Sequence, residues 1–203
     1  MVAPKLGDAA RALREHRVVA AATETFFGLL AMGDDPVALD ILFRVKPRGP
    51  DKAVALILPD ASEWSRWVTA IPDAAALLAS RFWPGPLSIA LPAAPWVDRR
   101  LTVAGSVAVR VPGASAALDL ARATGSALTA TSANAPGARP ATTAAHVYES
   151  LGPEVEACRV VVVEGTAPGG LASTLVTVHE NGVSVLRAGP ISRFEIERAV
   201  ATG

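Results

Sequence analysis

Three cationic side chains fall within one seven-residue segment, 46–52, which also holds two prolines and one glycine. They are Lys46, Arg48 and Lys52. Arginine offers a planar fork of donors and lysine a compact point charge, so cations confined to one short loop suit a polyphosphate. The alternative is a solvated basic loop after a helix, which the helix dipole favours. The segment alone leaves both interpretations open.

Small polar side chains follow two apolar runs elsewhere in the chain. Segment 23–29, TETFFGL, presents hydroxyls and a carboxylate directly after the run 18–22, and segment 130–137, ATSANAPG, follows the run 127–130. Such residues at strand ends can line a ligand crevice or form an anion-binding nest. Helix caps and Asn-containing turns use the same residue types. Each segment therefore predicts either a ligand crevice or a turn.

Two arginines stand at the ends of apolar runs. Arg110 follows Val-Ala-Val and Arg187 precedes Ala-Gly-Pro, while segment 169–174, GGLAST, adds further hydroxyls. A buried guanidinium needs an anion, because an unpaired one is too costly. The sequence leaves open whether Arg110 forms a structural salt bridge or binds the carboxylate of a ligand. Together these strand-end groups are what a site for ATP and a carboxylate would require.

The elements that must position these residues alternate along the chain. Short runs bounded by Gly, Pro or charge predict strands, and apolar residues at helical spacing predict helices. The predicted strands are 18–22, 53–58, 87–91, 107–111, 127–130, 160–163, 175–178 and 183–187, and the predicted helices are 9–15, 37–45, 74–82, 115–124, 143–151 and 192–201. This alternation indicates an α/β domain with a mixed sheet. No repeat or linker-like stretch interrupts it, so residues 1–203 are predicted to form one domain.

The composition excludes several classes of protein. The 203 residues include 19 basic and 19 acidic residues, 51% hydrophobic residues, one cysteine and three histidines. Disorder, a disulfide framework and a multi-cysteine zinc site are thereby excluded, and no stretch is apolar enough to span a membrane. No P-loop, GxGxxG, HExxH or GxSxG motif occurs. We expect a cytoplasmic protein; its zero net charge argues against general nucleic-acid coating but leaves room for a local basic groove.

The order of the polar segments resembles that of the YrdC-like family, the threonylcarbamoyl-AMP synthases. The shared motifs are TETFFGL, KxRxxxK, FWPGPL at 82–87, VAVRVP, TSANAPG, ST at 173–174 and LRAGP, and they run from about residue 18 to residue 190. One motif could arise by chance, whereas the whole set in this order is highly specific. The resemblance implies a single α/β domain with a twisted, open, mixed β-sheet flanked by helices and a large electropositive cleft. Longer members add a C-terminal domain, and this chain is expected to be the short form.

The resemblance also implies an activity. L-threonine, bicarbonate and ATP would form threonylcarbamoyl-AMP and pyrophosphate, with Mg²⁺ held chiefly by the ATP phosphates and water. A separate tRNA-modifying transferase complex would then move the threonylcarbamoyl group to the adenosine beside the anticodon. Two alternatives stay open: a carbamoyl-adenylating enzyme with another acceptor, and a non-catalytic protein that binds double-stranded RNA or tRNA.

By motif, the resemblance assigns roles to individual residues. The catalytic cations that hold the ATP phosphates would be Lys46, Arg48 and Lys52. The residues that bind threonine or bicarbonate would be Thr23, Arg110, Ser132 and Ser173. The other ATP-binding residues would be Ser106, Asn134, Thr142 and Arg187.

Two departures from the family pattern bear on the substrate. Glu24 stands where the family usually has Asp, and Phe27 stands where it usually has Tyr. One carboxylate is therefore a methylene longer and one hydroxyl is missing. We expect lower substrate affinity or an altered amino-acid preference if that hydroxyl orients the substrate.

Overall fold

Strands and helices alternate in the computed structural model, which describes residues 5–49, 54–179 and 182–201. The strands in these ranges are β1 (Val19–Ala22), β2 (Phe27–Leu30), β3 (Ala55–Ile57), β4 (Leu87–Pro92), β5 (Thr102–Val103), β6 (Ser106–Arg110), β7 (Leu128–Ser132), β8 (Val161–Val162), β9 (Thr174–His179) and β10 (Gly182–Arg187). The helices are α1 (Leu6–Arg14), α2 (Pro36–Val45), α3 (Trp64–Trp67), α4 (Asp73–Phe82), α5 (Ala116–Thr124), α6 (Ala144–Ala157) and α7 (Arg193–Ala201).

The strands form one open sheet of mixed direction. Their order is β10-β9-β4-β6-β3-β7-β2-β1-β8, with β5 beside β6. The pairs β1–β8, β3–β6 and β4–β9 are parallel, and the other pairs in the described residues are antiparallel. A single α/β domain with a mixed open sheet flanked by helices confirms the predicted fold class.

The two faces of the sheet are covered unequally. One face carries the larger core, to which α2, α4 and α6 contribute buried residues such as Leu42, Leu78 and Val147. On the opposite face α1 and α5 form a smaller core with Leu13 and Leu120 against part of the sheet. Because α1 and α5 cover only part of their face, the strands β4, β6 and β9 are left accessible there.

The residues on that accessible face are small. In β4, Ser88 and Ala90 face it while Ile89 joins the larger core; in β6, Ala108 faces it while Val109 joins the same core. Successive side chains of a strand point to opposite faces, so alternation of small and large residues places all the bulk on one side. The small side chains leave space above the sheet.

The structure corrects some predicted boundaries. Each predicted strand and helix has a counterpart, and β2, β5 and α3 were not predicted. The helix predicted over 143–151 was ended too early at Gly-Pro. The chain bends at Leu151 (φ −133°, ψ 19°) and continues through Pro153 to Ala157. Proline removes one helical hydrogen bond, which a kink can absorb without ending the element.

Within the described ranges, no helix combines the length and the apolar character that crossing a bilayer requires.

Candidate functional site

A cleft of about 620 Å³ opens over the accessible part of the sheet. Its lining includes the turn after β1, the cleft-facing residues of β3, β4, β6, β7 and β9, and the end of β10. The predicted site residues that line it are Thr23, Arg48, Ser106, Arg110, Ser132, Ser173 and Arg187. The chain thus brings residues from six separate sequence segments to one place.

Three arginines are the charged residues among the described lining: Arg48, Arg110 and Arg187. Burial lowers the pKa of all three from the ordinary arginine value, and repulsion from Arg187 lowers the pKa of Arg48 and Arg110 further. Arginine nevertheless remains protonated in proteins. Like charges that are partly removed from water and face one cleft favour an anionic ligand.

Arg110 is nearly fully buried and forms an ion pair with Glu24, with 2.6 Å between Nη1 and Oε1. The attraction of this carboxylate raises the pKa of Arg110 against the larger effect of burial. The second oxygen of Glu24, Oε2, is buried and accepts no hydrogen bond within the described residues. Of the two partners that the sequence left open for Arg110, the structure contains the salt bridge. Its pairing with a substrate carboxylate stays a prediction.

The turn that carries Glu24 is built around Thr23. The Thr23 hydroxyl accepts hydrogen bonds from the backbone N–H groups of Thr25 and Phe26 and lies 2.8 Å from the Phe26 carbonyl oxygen. This turn joins β1 to β2, whose first residue, Phe27, pairs with Ala22. Segment 23–29 therefore contains a hairpin turn that also lines the cleft, and its role in ligand binding stays a prediction.

Lys46 lies behind the cleft wall. Its ammonium donates to the Ser132 hydroxyl (3.1 Å) and to the Asn134 side-chain oxygen (3.2 Å), and the residue is buried. The Asn134 amide in turn donates to the carbonyl oxygens of Ala135 and Ala138. Lys46 therefore holds the TSAN segment in place, and its contact with phosphate stays a prediction.

Arg48 approaches the same segment from the cleft side. Its guanidinium donates to the hydroxyl of Thr131, the residue that pairs with Leu29 of β2. The basic segment and the TSAN segment thus meet at β7, as a shared phosphate-binding role requires. Lys52 lies outside the described residues.

Thr142 lies outside the cleft lining. Its hydroxyl lies 3.2 Å from Nδ1 of His146 at the start of α6, and its methyl group faces Gly169. Asn134, Lys46 and Thr142 are thus the described members of the predicted set that do not line the cleft.

Arg187 and Ser173 form one unit at the opposite wall. The Arg187 guanidinium donates to the Ser173 carbonyl oxygen (Nη2, 2.9 Å) and to the Ser173 hydroxyl (3.1 Å). The LRAGP motif lies close to the backbone of segment 172–174, and Gly189 makes this possible. A Cβ at position 189 would stand 2.3 Å from the Thr174 nitrogen and 2.4 Å from the Ala172 oxygen. Only glycine allows this approach of two backbones.

Several lining residues were missed by the sequence analysis. They include the polar residues Ser88 and Thr177 and the small residue Ala90. Other lining residues fall within segments already singled out in the sequence, although no role was given to them: Thr25, Phe26, Thr131 and Leu186. A usable signal was present for some of them, because Ala and Ser alternate with Leu, Ile and Val in β4 and β6. Such alternation indicates a sheet face without a packed helix.

The described lining offers no metal site built by the protein. It contains no carboxylate, and the described residues hold no group of three or more His, Cys, Asp or Glu side chains that could bind a metal ion. Magnesium prefers oxygen ligands and is often bound by one or two carboxylates with substrate phosphates. The donor set therefore fits Mg²⁺ only as a companion of a polyphosphate ligand.

Comparisons with known proteins agree with the resemblance. Residues 11–189 match the profile of the family Sua5_yciO_yrdC, which carries the description "Telomere recombination". Threonylcarbamoyl-AMP synthase of Alkalilimnicola ehrlichii is 36% identical over 185 residues, which are 91% of this chain and 95% of that protein. Threonylcarbamoyl-AMP synthase of Bacillus subtilis is 33% identical over 200 residues, 97% of this chain but 57% of that protein.

One solved structure resembles this chain in both sequence and fold. The crystal structure of Pyrococcus abyssi Sua5 complexed with L-threonine superimposes with a TM-score of 0.87 at 33% identity, over 96% of this chain and 56% of that one. This chain therefore spans just over half the length of some relatives and nearly the full length of others.

Proposed function

The chain belongs to the Sua5_yciO_yrdC family, and from that premise we propose that it is an L-threonylcarbamoyladenylate synthase using L-threonine, bicarbonate and MgATP. The observation that carries this proposal is the meeting of Arg48, Arg110 and Arg187 in one hydroxyl-lined cleft. The reaction gathers a polyphosphate, a carbonate and a carboxylate, so three guanidiniums would make an electropositive cleft that concentrates them. The names of the relatives support the same activity.

The chemistry consists of two bond exchanges. The neutral amine of threonine attacks the carbon of bicarbonate, an N–C bond forms, and hydroxide leaves and takes up the amine proton as water. A carbamate oxygen then attacks the α-phosphorus, and pyrophosphate leaves with the electron pair of the broken P–O bond. Both steps depend on alignment and on neutralising negative charge. Cations and hydroxyls therefore suffice, and no histidine lines the described cleft.

The two walls of the cleft divide the substrates in this proposal. Arg48, at the TSAN segment that Lys46 holds, would bind the phosphates, as would Lys52 by motif. Arg110, on the floor of the cleft, and Ser173, on the opposite wall, would bind threonine and bicarbonate. The bidentate fork of arginine suits both phosphate and carboxylate oxygens. Mg²⁺ enters with ATP as part of the substrate.

The product also defines a partner by its chemistry. Threonylcarbamoyl-AMP is a mixed anhydride, so a transferase that delivers the acyl group to tRNA must consume it. Such a complex, and direct binding of double-stranded RNA or tRNA to the basic segment, remain part of the proposal.

Pyrophosphate release tests the proposed function. Purified protein with ATP, Mg²⁺ and bicarbonate should release pyrophosphate in response to L-threonine, above blanks with L-serine and with no amino acid. Arg48→Ala should lower kcat/KM about ten-fold or more, because a hydrogen bond to a charged group is lost. Arg193→Ala is the matched control, since Arg193 is exposed and pairs with Glu197 on α7.

Two outcomes would contradict the proposal. Folded, ATP-binding protein that releases no pyrophosphate with threonine would rule out the synthase. Release that depends instead on carbamoyl phosphate or on another amine would assign the cleft to carbamoyl adenylation with a different acceptor.

A further inference from the structure

Ser88 is a buried hydroxyl in the floor of the cleft, on the central strand β4, and no role has yet been given to it. It is 1% exposed and lines the cleft beside Ala90. Its hydroxyl oxygen lies 3.2 Å from that of Ser173. A polar group in the middle of an otherwise apolar strand costs free energy unless it is satisfied. Ser173 satisfies one of its hydrogen bonds.

The direction of these hydrogen bonds follows from a count of protons. A guanidinium can only donate, so Arg187 donates to the Ser173 hydroxyl oxygen. The two serines hold two hydroxyl protons, and their mutual hydrogen bond uses one of them. Whichever serine donates to the other, the second proton has no acceptor within the described residues. The serine pair therefore presents one O–H donor to the cleft.

That donor is adjacent to Arg110. In the antiparallel pair β4–β6, Ile89 lies opposite Val109, so the residues before Ile89 and after Val109 share the other face. Both Ser88 and Arg110 line the cleft. A hydroxyl donor and a guanidinium thus face one region of the floor.

The local charge selects the kind of ligand. Arg110 is paired with Glu24, and Arg187, bound to neutral Ser173, adds one positive charge. These three charged side chains carry a net charge near +1, and neutral hydroxyls with a planar guanidinium suit a carboxylate or carbonate oxygen.

We propose that Ser88, through its pair with Ser173, is a substrate-binding residue that donates a hydrogen bond to a planar carbon oxyanion beside Arg110. This inference rests on the proposed function for the identity of the oxyanion, which is either the carboxylate of threonine or bicarbonate. In a steady-state assay Ser88→Ala should raise the KM of one of these two substrates about ten-fold or more and leave the KM of ATP within two-fold. The substrate affected identifies the source of the oxyanion.

Two variants separate binding from structure. Ser88→Thr keeps the hydroxyl and should recover most of the lost affinity. Ser80→Ala is the matched control, since the exposed Ser80 hydroxyl bonds only within α4. A Ser88→Ala protein with unchanged KM values would overturn the proposal. So would an equal rise in all three KM values with a lower Tm, which a purely structural role predicts.

A second readout does not depend on catalysis. Sodium acetate or bicarbonate should raise the Tm of the wild-type protein more than sodium chloride at equal ionic strength, and Ser88→Ala should lose that difference while inorganic phosphate still raises its Tm. If the wild type makes no pyrophosphate but shows this loss, the proposed function fails and the oxyanion site stands. If Ser88→Ala responds to acetate and bicarbonate as the wild type does, the site fails.

Discussion

Replacing Glu24 should destabilise the protein, because it leaves the Arg110 guanidinium buried without its carboxylate. The Arg110 side chain is 6% exposed and that of Glu24 is 15% exposed, with 2.6 Å between their charged atoms. Removing one partner of a buried ion pair typically costs about 3–5 kcal/mol. The partial exposure of Glu24 and the open cleft put Glu24→Gln at the lower end, about 3 kcal/mol. At about 2–4 °C per kcal/mol for a chain of this size, the Tm should fall by about 6–12 °C.

Thermal and urea unfolding of matched variants measures this effect. Glu197→Gln is the control, because its pair with Arg193 is exposed and spans 3.4 Å, and such pairs contribute about 0–1 kcal/mol. The double variant Glu24→Gln/Arg110→Met should recover much of the lost stability, since replacing both partners of a buried pair by neutral groups is often close to neutral. A Glu24→Gln protein that unfolds like the Glu197→Gln control would refute the reasoning.

Further expectations concern the cleft and its surroundings. Arg48→Ala should weaken the binding of ATP in calorimetry, because it removes a guanidinium that lines the cleft. Gly189→Ala should lower both stability and activity, since a Cβ meets backbone atoms of segment 172–174 at 2.3–2.7 Å; unfolding and pyrophosphate assays measure the two losses. Hydrogen bonds from the Arg100 side chain lower the pKa of Asp98, so its stabilising effect is present above the unfolded pKa of about 3.9 and is lost as the pH falls through the lower folded value. The stability gap between wild type and Asp98→Asn should therefore be widest near pH 6–7 and close below pH 3 in urea unfolding.

Each of these has an outcome that would contradict it. Gly152→Ala is the control for the glycine variant, because nothing lies within 4 Å of a Cβ there, and equal behaviour of the two would show that the backbone contact is unimportant. Unchanged ATP binding by Arg48→Ala would mean that Arg48 does not contact the phosphates. A gap for Asp98→Asn that persists unchanged into acid would rule out the ion pair as its cause.

The fold class could be predicted because strands and helices alternate along the sequence. The prediction of individual elements failed where the local residue pattern does not match the structure that tertiary packing produces. β2 was missed because Phe27–Leu30 directly follows a turn and is buried on both faces, so it lacks polar alternation. The helix α6 was shortened because Gly152-Pro153 is a common stop signal, whereas packing of Val155 in the core holds the chain helical beyond it. Tertiary contacts decide such cases, and local patterns do not contain them.

The residues of the candidate site likewise include some that the sequence predicted and some that it did not. Arginines at strand ends were recognisable, because a charge after an apolar run needs an explanation in any fold. Ser88 was not, since a serine within LSIAL looks like an ordinary core residue until the pairing of β4 with β9 brings its hydroxyl to within 3.2 Å of that of Ser173. Lys46 and Asn134 were expected in the cleft, and the structure places them one layer behind it, where they position Ser132. Motif matching names the residues that matter but does not separate those that line a cavity from those that support its wall.

The three arginines of the cleft are each held by a different acceptor, and this determines how the site responds to a ligand. Arg110 donates to the carboxylate of Glu24, Arg48 to the hydroxyl of Thr131, and Arg187 to the carbonyl oxygen of Ser173. Burial lowers the pKa of all three guanidiniums, and Arg187 repels both Arg48 and Arg110, so the folded protein alone carries this desolvation and repulsion. An anion that enters the cleft offsets both effects, which favours its binding. The stability gained on binding should thus be greater for anions than for neutral molecules at the same concentration, and it reaches about 2.7 kcal/mol when the ligand concentration is one hundred times the Kd.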